Sequence, residues 1–114
     1  MMNSELGKLK IENKESAQRW EAHVDQQLAV AEYRCRENAI FFIHTEVPPA
    51  LEGQGIASQL VRAALEDTRM RHLAVIPFCP FVAEYIRRHP DYKAIVHPDY
   101  LDLVEDRAPS QTNG

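Results

Sequence analysis

The sequence predicts an α+β domain built on a mixed, mainly antiparallel sheet. In the first half of the chain, apolar residues recur at every second position, which is the period of a strand. After Gly55 they recur every three to four positions, which is the period of a helix. The two halves are joined by a segment in which Gly53 and Gly55 stand one residue apart. We therefore expect four strands, a glycine loop, a helix, a strand and a second helix, in that order.

Four strands are predicted before the glycines. Apolar and polar residues alternate over residues 8–12, 20–24 and 28–34, as in antiparallel strands that are buried on one face. Residues 39–47 are apolar on both faces, so this segment is expected to be a central strand that is covered on both sides. The polar segments between the later strands are short enough to form hairpin turns.

Two helices and one strand are predicted after the glycines. A helix is expected from about Gly55 to Arg71, because the apolar residues of this stretch share one helical face. The apolar residues 73–76 then predict a short buried strand. Pro80 suits the first turn of a second helix, and Pro90 is expected to end it. One face of this helix is expected to be buried and carries Phe81, Val82, Tyr85, Ile86 and His89.

Composition and charge limit the classes of function. The 114 residues suffice for one domain, which we place at residues 7–104, followed by a polar tail at residues 105–114 that we expect to be disordered. The formal net charge is −4, with acids and bases interspersed, whereas a nucleic-acid-binding surface normally shows a basic stripe. We therefore expect no nucleic-acid partner.

The sequence also indicates a cellular compartment. The first ten residues lack the apolar core of a signal peptide, and the longest apolar run, residues 39–43, is too short to span a membrane. Two cysteines, Cys35 and Cys79, do not make a disulfide framework. We therefore expect a cytoplasmic protein with no membrane partner.

The segment between the fourth strand and the first helix predicts a site for phosphate oxygens. Gly53 and Gly55 allow the backbone to approach a ligand closely. The first N–H groups of a helix lack internal partners and lie at the positive end of the helix dipole, so they favour an anion. A tight turn without a ligand explains the two glycines equally well.

Two common classes of phosphate site do not fit this loop. The GxxxxGKS/T spacing of a P-loop is absent from the sequence. A dinucleotide-binding fold would begin with the strand before the loop, whereas three antiparallel strands are predicted ahead of it. Such a fold would also place an acid near the end of the next strand to hold the ribose, and that strand ends in Ile76-Pro77-Phe78-Cys79.

The loop and its flanking motifs resemble the GCN5-related N-acetyltransferases. Glu52-Gly53-Gln54-Gly55-Ile56-Ala57 is similar to the family signature, in which glycine and then glycine or alanine follow an arginine or glutamine at fixed spacing. Glu52 departs from that signature, because it stands where the family usually has arginine or glutamine. Three further motifs resemble a small single-domain subfamily of predicted acetyltransferases: His44-Thr45-Glu46-Val47-Pro48, Cys79-Pro80-Phe81 and His89-Pro90.

The resemblance implies acetyl-coenzyme A (acetyl-CoA) as the cofactor, with its pyrophosphate on the backbone of the loop. It also implies that the strand before the loop splays away from the strand at residues 73–76, so that the pantetheine enters between them. The stretch Asn13 to Arg19 is too short for the two helices that usually wall the acceptor site. The cofactor-binding residues implied are Val47, Gly53, Gln54, Gly55, Ile56, Ala57 and Ser58.

The same resemblance implies transfer of an acetyl group to an amine, which is either a small molecule or a protein lysine. A base must then remove a proton from the ammonium group of the acceptor. His44 suits this role, since imidazole exchanges protons near neutral pH, although a histidine held by a hydrogen bond in the sheet is an equally good interpretation. Glu46 is a second candidate base on the same face of the strand, although a solvated acid at the end of the strand is the better interpretation. The alternative function is a non-catalytic acyl-CoA-binding or sensor module.

Two further residues are candidates for handling the leaving thiolate. Cys79 precedes Pro80 at a predicted helix N-terminus, where free N–H groups stabilise a thiolate, and the implied fold places it across the gap between the strands from His44. It is therefore expected to protonate the leaving group or to take the acetyl group itself, the alternative being a small buried packing residue. Tyr85 lies where some family members keep a tyrosine acid, but its apolar helical face favours packing. No histidines and cysteines stand at ligand spacing, so no metal site is predicted.

Overall fold

The computed structural model describes residues 9–105 as a five-stranded sheet with two α-helices. The strands follow one another in the sheet in chain order, and all neighbours are antiparallel except the last pair, which is parallel. The predicted α+β class and its mixed, mainly antiparallel sheet are thereby confirmed. The strands are β1 (Lys10–Lys14), β2 (Arg19–Val24), β3 (Gln27–Arg36), β4 (Ala39–Glu46) and β5 (Ala74–Pro77), and the helices are α1 (Ile56–Met70) and α2 (Pro80–Arg88).

Four short 3-10 helices complete the described chain, at Glu15–Ala17, Pro49–Leu51, Pro90–Ile95 and Pro98–Val104. The sequence predicted none of these four. The last two follow α2 and bring Val96 into a parallel bridge with β5. Neither α-helix of residues 9–105 combines the length and the apolar character needed to cross a membrane. The predicted disordered tail lies, apart from Glu105, outside the described residues.

Both helices pack against the same face of the sheet. The side chains of Tyr33 and Phe42 point from the sheet into a core that also contains Val61 of α1 and Ile86 of α2. The apolar residues of α1 recur at helical spacing, as predicted, and are buried: Ile56, Leu60, Val61, Ala64 and Leu65. Full burial of a Val, Leu or Ile side chain contributes about 1.5–3 kcal/mol, so these contacts hold α1 against the sheet. We call the side of the sheet that the two helices cover the helix face, and the opposite side the open face.

The open face carries a buried carboxylate on β2. Glu21 is 4 % exposed and accepts hydrogen bonds from Arg19 (2.8 Å) and from His23 (3.0 Å). Burial alone would raise the pKa of Glu21, but the hydrogen bonds and positive charge of Arg19 and His23 outweigh it and lower the pKa. Glu12 lies directly opposite Glu21 on β1. The hydrogen bonds of Glu21 with Arg19 and His23 therefore stabilise this part of the sheet.

Candidate functional site

A β-bulge in β4 interrupts the pairing of the two longest strands. Tyr33 of β3 pairs with Phe42, but the preceding residue, Glu32, pairs with His44. Ile43 is therefore the extra residue, without a partner on β3 in the described sheet. An extra residue on one strand reverses the alternation of its side chains between the two faces. The bulge thus decides which of the following side chains face the helices.

Beyond the bulge, neighbouring residues of β4 face opposite ways. Thr45 pairs with Ala31, which belongs to the core beneath α1, so Thr45 lies on the helix face. His44 and Glu46 lie on the open face, where His44 Nε2 is 3.4 Å from a carboxylate oxygen of Glu46. Both side chains are well exposed, at 53 % and 71 %. The structure therefore brings the two predicted bases together on the open face.

The strands β4 and β5 part immediately before these residues. Their parallel pairing ends at Phe42 and Pro77, whereas β4 continues to Glu46. The chain leaving β5 is tied to β4 once more, by a hydrogen bond of 2.7 Å from the N–H of Cys79 to the carbonyl of Phe42. In the described chain, the remainder of β4 has no partner on the β5 side. The splay implied by the family resemblance is therefore present.

A cavity of about 410 Å³ lies at the end of β4, between the N-termini of the two α-helices. Six of the seven predicted cofactor residues line it. The exception is Gln54, whose side chain instead donates a hydrogen bond of 3.1 Å to the carbonyl of Ala50. The lining residues are Thr45, Val47, Leu51, Glu52, Gly53, Gly55, Ile56, Ala57, Ser58 and Phe81.

The loop backbone in this cavity is suited to an anion. Gly53 and Gly55 have φ angles of +82° and +76°, in the left-handed region that glycine adopts without strain. A Cβ atom at either position would meet nothing within 4 Å in the described chain, so these glycines leave space for a ligand rather than for packing. Gly55 is also the N-cap of α1, whose first turn has neither a side-chain cap nor an acid among the described residues. Its free N–H groups can therefore donate hydrogen bonds to an anion.

Cys79 contacts the far wall of this cavity through Thr45. Its sulfur lies 3.3 Å from Thr45 Oγ1, and the cysteine is 3 % exposed at the N-cap of α2. The sequence placed His44 opposite Cys79, and this is wrong, because the bulge turns His44 to the open face. Thr45 is the residue that the bulge brings to the thiol.

Comparison with known proteins identifies the family. The sequence model of the GCN5-related N-acetyl-transferase family matches residues 19–95, more than half of the chain. The chain belongs to this family. It is similar to Protein NATD1 of Mus musculus and of Homo sapiens, at 34 % identity over 62 residues, and to Protein NATD1 of Danio rerio, at 31 % over 61 residues. Each match covers 54 % of this chain and 50–51 % of the relative, so the chain spans about half the length of these curated relatives.

Tyr85, which the sequence named as a possible acid, lies in the core of this acetyltransferase-family domain. Its ring stacks on His89 at 4.1 Å and lies 6.0 Å from that of Tyr92. Burial raises the pKa of Tyr85, so its phenol stays protonated at neutral pH. These contacts give Tyr85 a packing role, and a role in catalysis stays a prediction.

The open face also groups three residues that can bind metals. The ligand atoms of Glu12, Glu21 and His23 lie within 4.8 Å of one another. Arg19 is bonded to the second carboxylate oxygen of Glu21, at 2.8 Å, and so adds a fixed positive charge to the group. We interpret it as an ion-pair network rather than a metal site.

Sequence reasoning missed Thr45, Leu51 and Phe81 in the cavity wall. Phe81 was expected on the buried face of the second helix, but it is 39 % exposed and lines the cavity. It is the second residue of α2, where the helix has not yet packed on the sheet. Its position directly after Cys79-Pro80 could have predicted this, since residues at the start of this helix border the gap between the strands.

Proposed function

We propose that the chain binds acetyl-CoA on the loop from Gly53 to Ser58 and transfers the acetyl group to a primary amine. The observation that carries the proposal is the cavity of about 410 Å³, which extends from the free N–H groups of α1 to Thr45, beside Cys79. Free backbone N–H groups thus lie at one end of the cavity, and Thr45, which contacts the buried thiol of Cys79, lies at the other. This arrangement suits a ligand with a pyrophosphate at one end and a thioester at the other.

The loop contributes binding through its backbone. N–H groups at the start of α1 can donate to phosphate oxygens, and the helix dipole favours the negative charge. The open space at Gly53 and Gly55 supports a close approach of the ligand to the main chain. Glu52, an exposed residue that lines the same cavity, opposes binding, because its negative charge repels phosphate. Backbone donors must therefore supply the affinity.

The bulge separates the two proton transfers that the reaction needs. Bound acetyl-CoA supplies an acetyl group activated as a thioester. On the open face, His44 accepts a proton from the ammonium group of the acceptor, and Glu46 stabilises the resulting imidazolium from 3.4 Å. On the helix face, Cys79 donates a proton to the leaving thiolate. Opposite faces of one strand thus serve the amine and the thiol.

A cysteine with this role must be reduced. Cys35 is exposed and Cys79 is buried, and both are free thiols in the structure. The proposal therefore places the protein in the cytoplasm, where thiols are kept reduced.

A non-catalytic acyl-CoA-binding module is the second candidate. It is favoured by the link between β1 and β2, which holds only the three-residue 3-10 helix Glu15–Ala17. In the described chain, no α-helix stands there to wall an acceptor beside His44. An amine would have to bind on an open surface, which suits a large acceptor or none.

Calorimetric titration with CoA, acetyl-CoA, ATP and NAD tests the proposed ligand. We expect binding of both CoA species and much weaker binding of the other two, with thermal stabilisation of about 2.7 kcal/mol at ~100 times the dissociation constant. Absence of binding by both CoA species would refute the proposal. Incubation with acetyl-CoA and a panel of primary amines then separates the candidates, because acetylated products in the mass spectrum require an enzyme.

A further inference from the structure

The contact between Thr45 and Cys79 links the cavity to the buried thiol. Thr45 is half-buried in the cavity wall, and its hydroxyl oxygen lies 3.3 Å from the sulfur of Cys79. Either atom can be the donor of this hydrogen bond. A hydroxyl that donates to a sulfur stabilises the negative charge of a thiolate.

The backbone around Cys79 is held in place independently of this contact. Its N–H donates to the carbonyl of Phe42 at 2.7 Å, and its own carbonyl accepts from the N–H of Ala83 at 3.0 Å. Within residues 9–105, the side chain of Cys79 does not cap α2 by a hydrogen bond. The main chain thus fixes the cysteine, and among the described residues the hydroxyl of Thr45 is the side-chain group that forms a hydrogen bond with its sulfur.

The placement of Thr45 depends on the bulge. Without the extra residue Ile43, the alternation of β4 would continue from Phe42 and turn His44 to the helix face. The bulge instead presents Thr45, whose hydroxyl cannot gain or lose charge near neutral pH. A neutral donor stabilises a thiolate on Cys79 without supplying a base beside it.

We propose that Thr45 is a positioning residue that orients the thiol of Cys79 and stabilises its thiolate. This inference rests on the proposed function, in which Cys79 passes a proton to the leaving thiolate of CoA. In that step the S–H bond of Cys79 breaks, an S–H bond forms on CoA, and the negative charge remains on Sγ of Cys79. The hydroxyl of Thr45 donates to that charge until water returns a proton.

Such a donor is needed because the thiol of Cys79 and the thiol of CoA are chemically alike. Donor and acceptor of the proton are both alkyl thiols, so their intrinsic acidities are similar. A hydrogen bond to one sulfur shifts the balance towards that thiolate. A contribution of ~1.4 kcal/mol, within the range of hydrogen bonds to charged groups, changes the ratio about tenfold.

Alkylation kinetics of the full chain test the inference without CoA. In a Cys35→Ser background, Cys79 is the single thiol, and its rate with a small neutral alkylating reagent is measured from pH 6 to 10. Thr45→Val keeps the shape and removes the hydroxyl, whereas Thr45→Ser keeps the hydroxyl. We expect the Val variant to react about tenfold more slowly at pH 7, with its rate profile displaced to higher pH, and the Ser variant to retain the parent profile.

Each outcome decides the inference. Equal profiles for the parent and the Val variant, including no detectable reaction in either, overturn it. A Ser variant that behaves like the Val variant also overturns it, because the effect would then come from packing. Calorimetry with CoA on the parent protein is a separate measurement, so a failure of CoA binding refutes the proposed function and is distinguished from a failure of the thiol contact.

Discussion

The N–H of Cys79 donates to the carbonyl of Phe42 at 2.7 Å, where β4 and β5 separate. This bond holds the start of α2 against the central strand. Past it, the two strands leave the gap that borders Thr45 and Phe81. The bond therefore fixes the N-terminus of α2, and with it the thiol, relative to the glycine loop at the other end of the cavity. A rigid separation of this kind is what a long ligand bound at both ends requires.

Substitution of Gly55 should remove CoA binding. Asn tolerates a positive φ better than other side chains, so Gly55→Asn keeps the loop conformation while its side chain fills the space next to the free N–H groups. Gly55→Val adds backbone strain of about 1–3 kcal/mol at φ +76°. We expect both variants to lose CoA affinity at least tenfold by calorimetry, and only Val to lose substantial thermal stability. Unchanged affinity in the Asn variant would mean that the loop is merely a turn.

Reversal of the charge at position 52 should strengthen CoA binding. The carboxylate of Glu52 lines the cavity, so Glu52→Arg replaces repulsion of phosphate by attraction. We expect affinity to rise about three- to tenfold at low salt, and the gain to shrink as added salt screens the charges. Asp91→Arg makes the same charge change at an exposed site beyond the C-terminal end of α2. An equal gain in this control would assign the effect to net charge alone.

Much of the fold could be predicted because the spacing of apolar residues shows which side chains of a strand or a helix are buried. The helix from Ile56 to Met70 and the predicted strands emerge close to their expected limits. The segment after Pro90 was not predicted, since its 3-10 turns depend on distant contacts, such as the bond of 2.8 Å from the N–H of His97 to the carbonyl of Val75.

The site was only partly predictable for a specific reason. Phe41, Phe42 and Ile43 are three consecutive apolar residues, so the pattern cannot show which one is the extra residue of the bulge. A shift of one residue exchanges the faces of all that follow. The sequence therefore placed His44 where Thr45 lies, although the glycine loop itself was located correctly.

Acid should destabilise the protein through Glu21. Because the hydrogen bonds and charges of Arg19 and His23 hold the pKa of this carboxyl below its usual 4.5, its contribution is present above pH 4.5 and is lost as the pH falls through the lowered value. We expect Glu21→Gln to lower the unfolding free energy by about 1–2 kcal/mol at pH 7, with a smaller difference below pH 4. Urea unfolding measures both. Glu12→Gln, the half-exposed neighbour, should have a much smaller effect, and equal losses in the two variants would contradict this interpretation.

Bound CoA should protect Cys79 from alkylation. Cys79 adjoins the cavity through Thr45, whereas Cys35 is exposed at the end of β3. A ligand that fills the cavity blocks access to the first thiol and leaves the second open. We expect saturating CoA to slow modification of Cys79 at least fivefold without changing that of Cys35, as measured by peptide mapping after brief exposure. Equal rates with and without CoA would place the ligand elsewhere.

Removal of the His44 imidazole should separate binding from chemistry. His44 lies on the open face, whereas the cavity wall is formed by Thr45, so His44→Gln should leave the affinity for acetyl-CoA unchanged. Loss of a general base typically slows transfer about 10²–10⁴-fold, and a loss of this size should appear as less acetylated amine and less free CoA thiol.

His72→Asn is the matched control, because His72 is exposed in the turn after α1 at φ +59°, which Asn tolerates, and should keep full activity. If His44→Gln transfers acetyl groups at the parental rate, the proton is removed by another group, and Glu46 on the same face is the residue to replace next. If instead it loses acetyl-CoA affinity, His44 contributes to the ligand site and the division of tasks between the two faces of β4 is wrong.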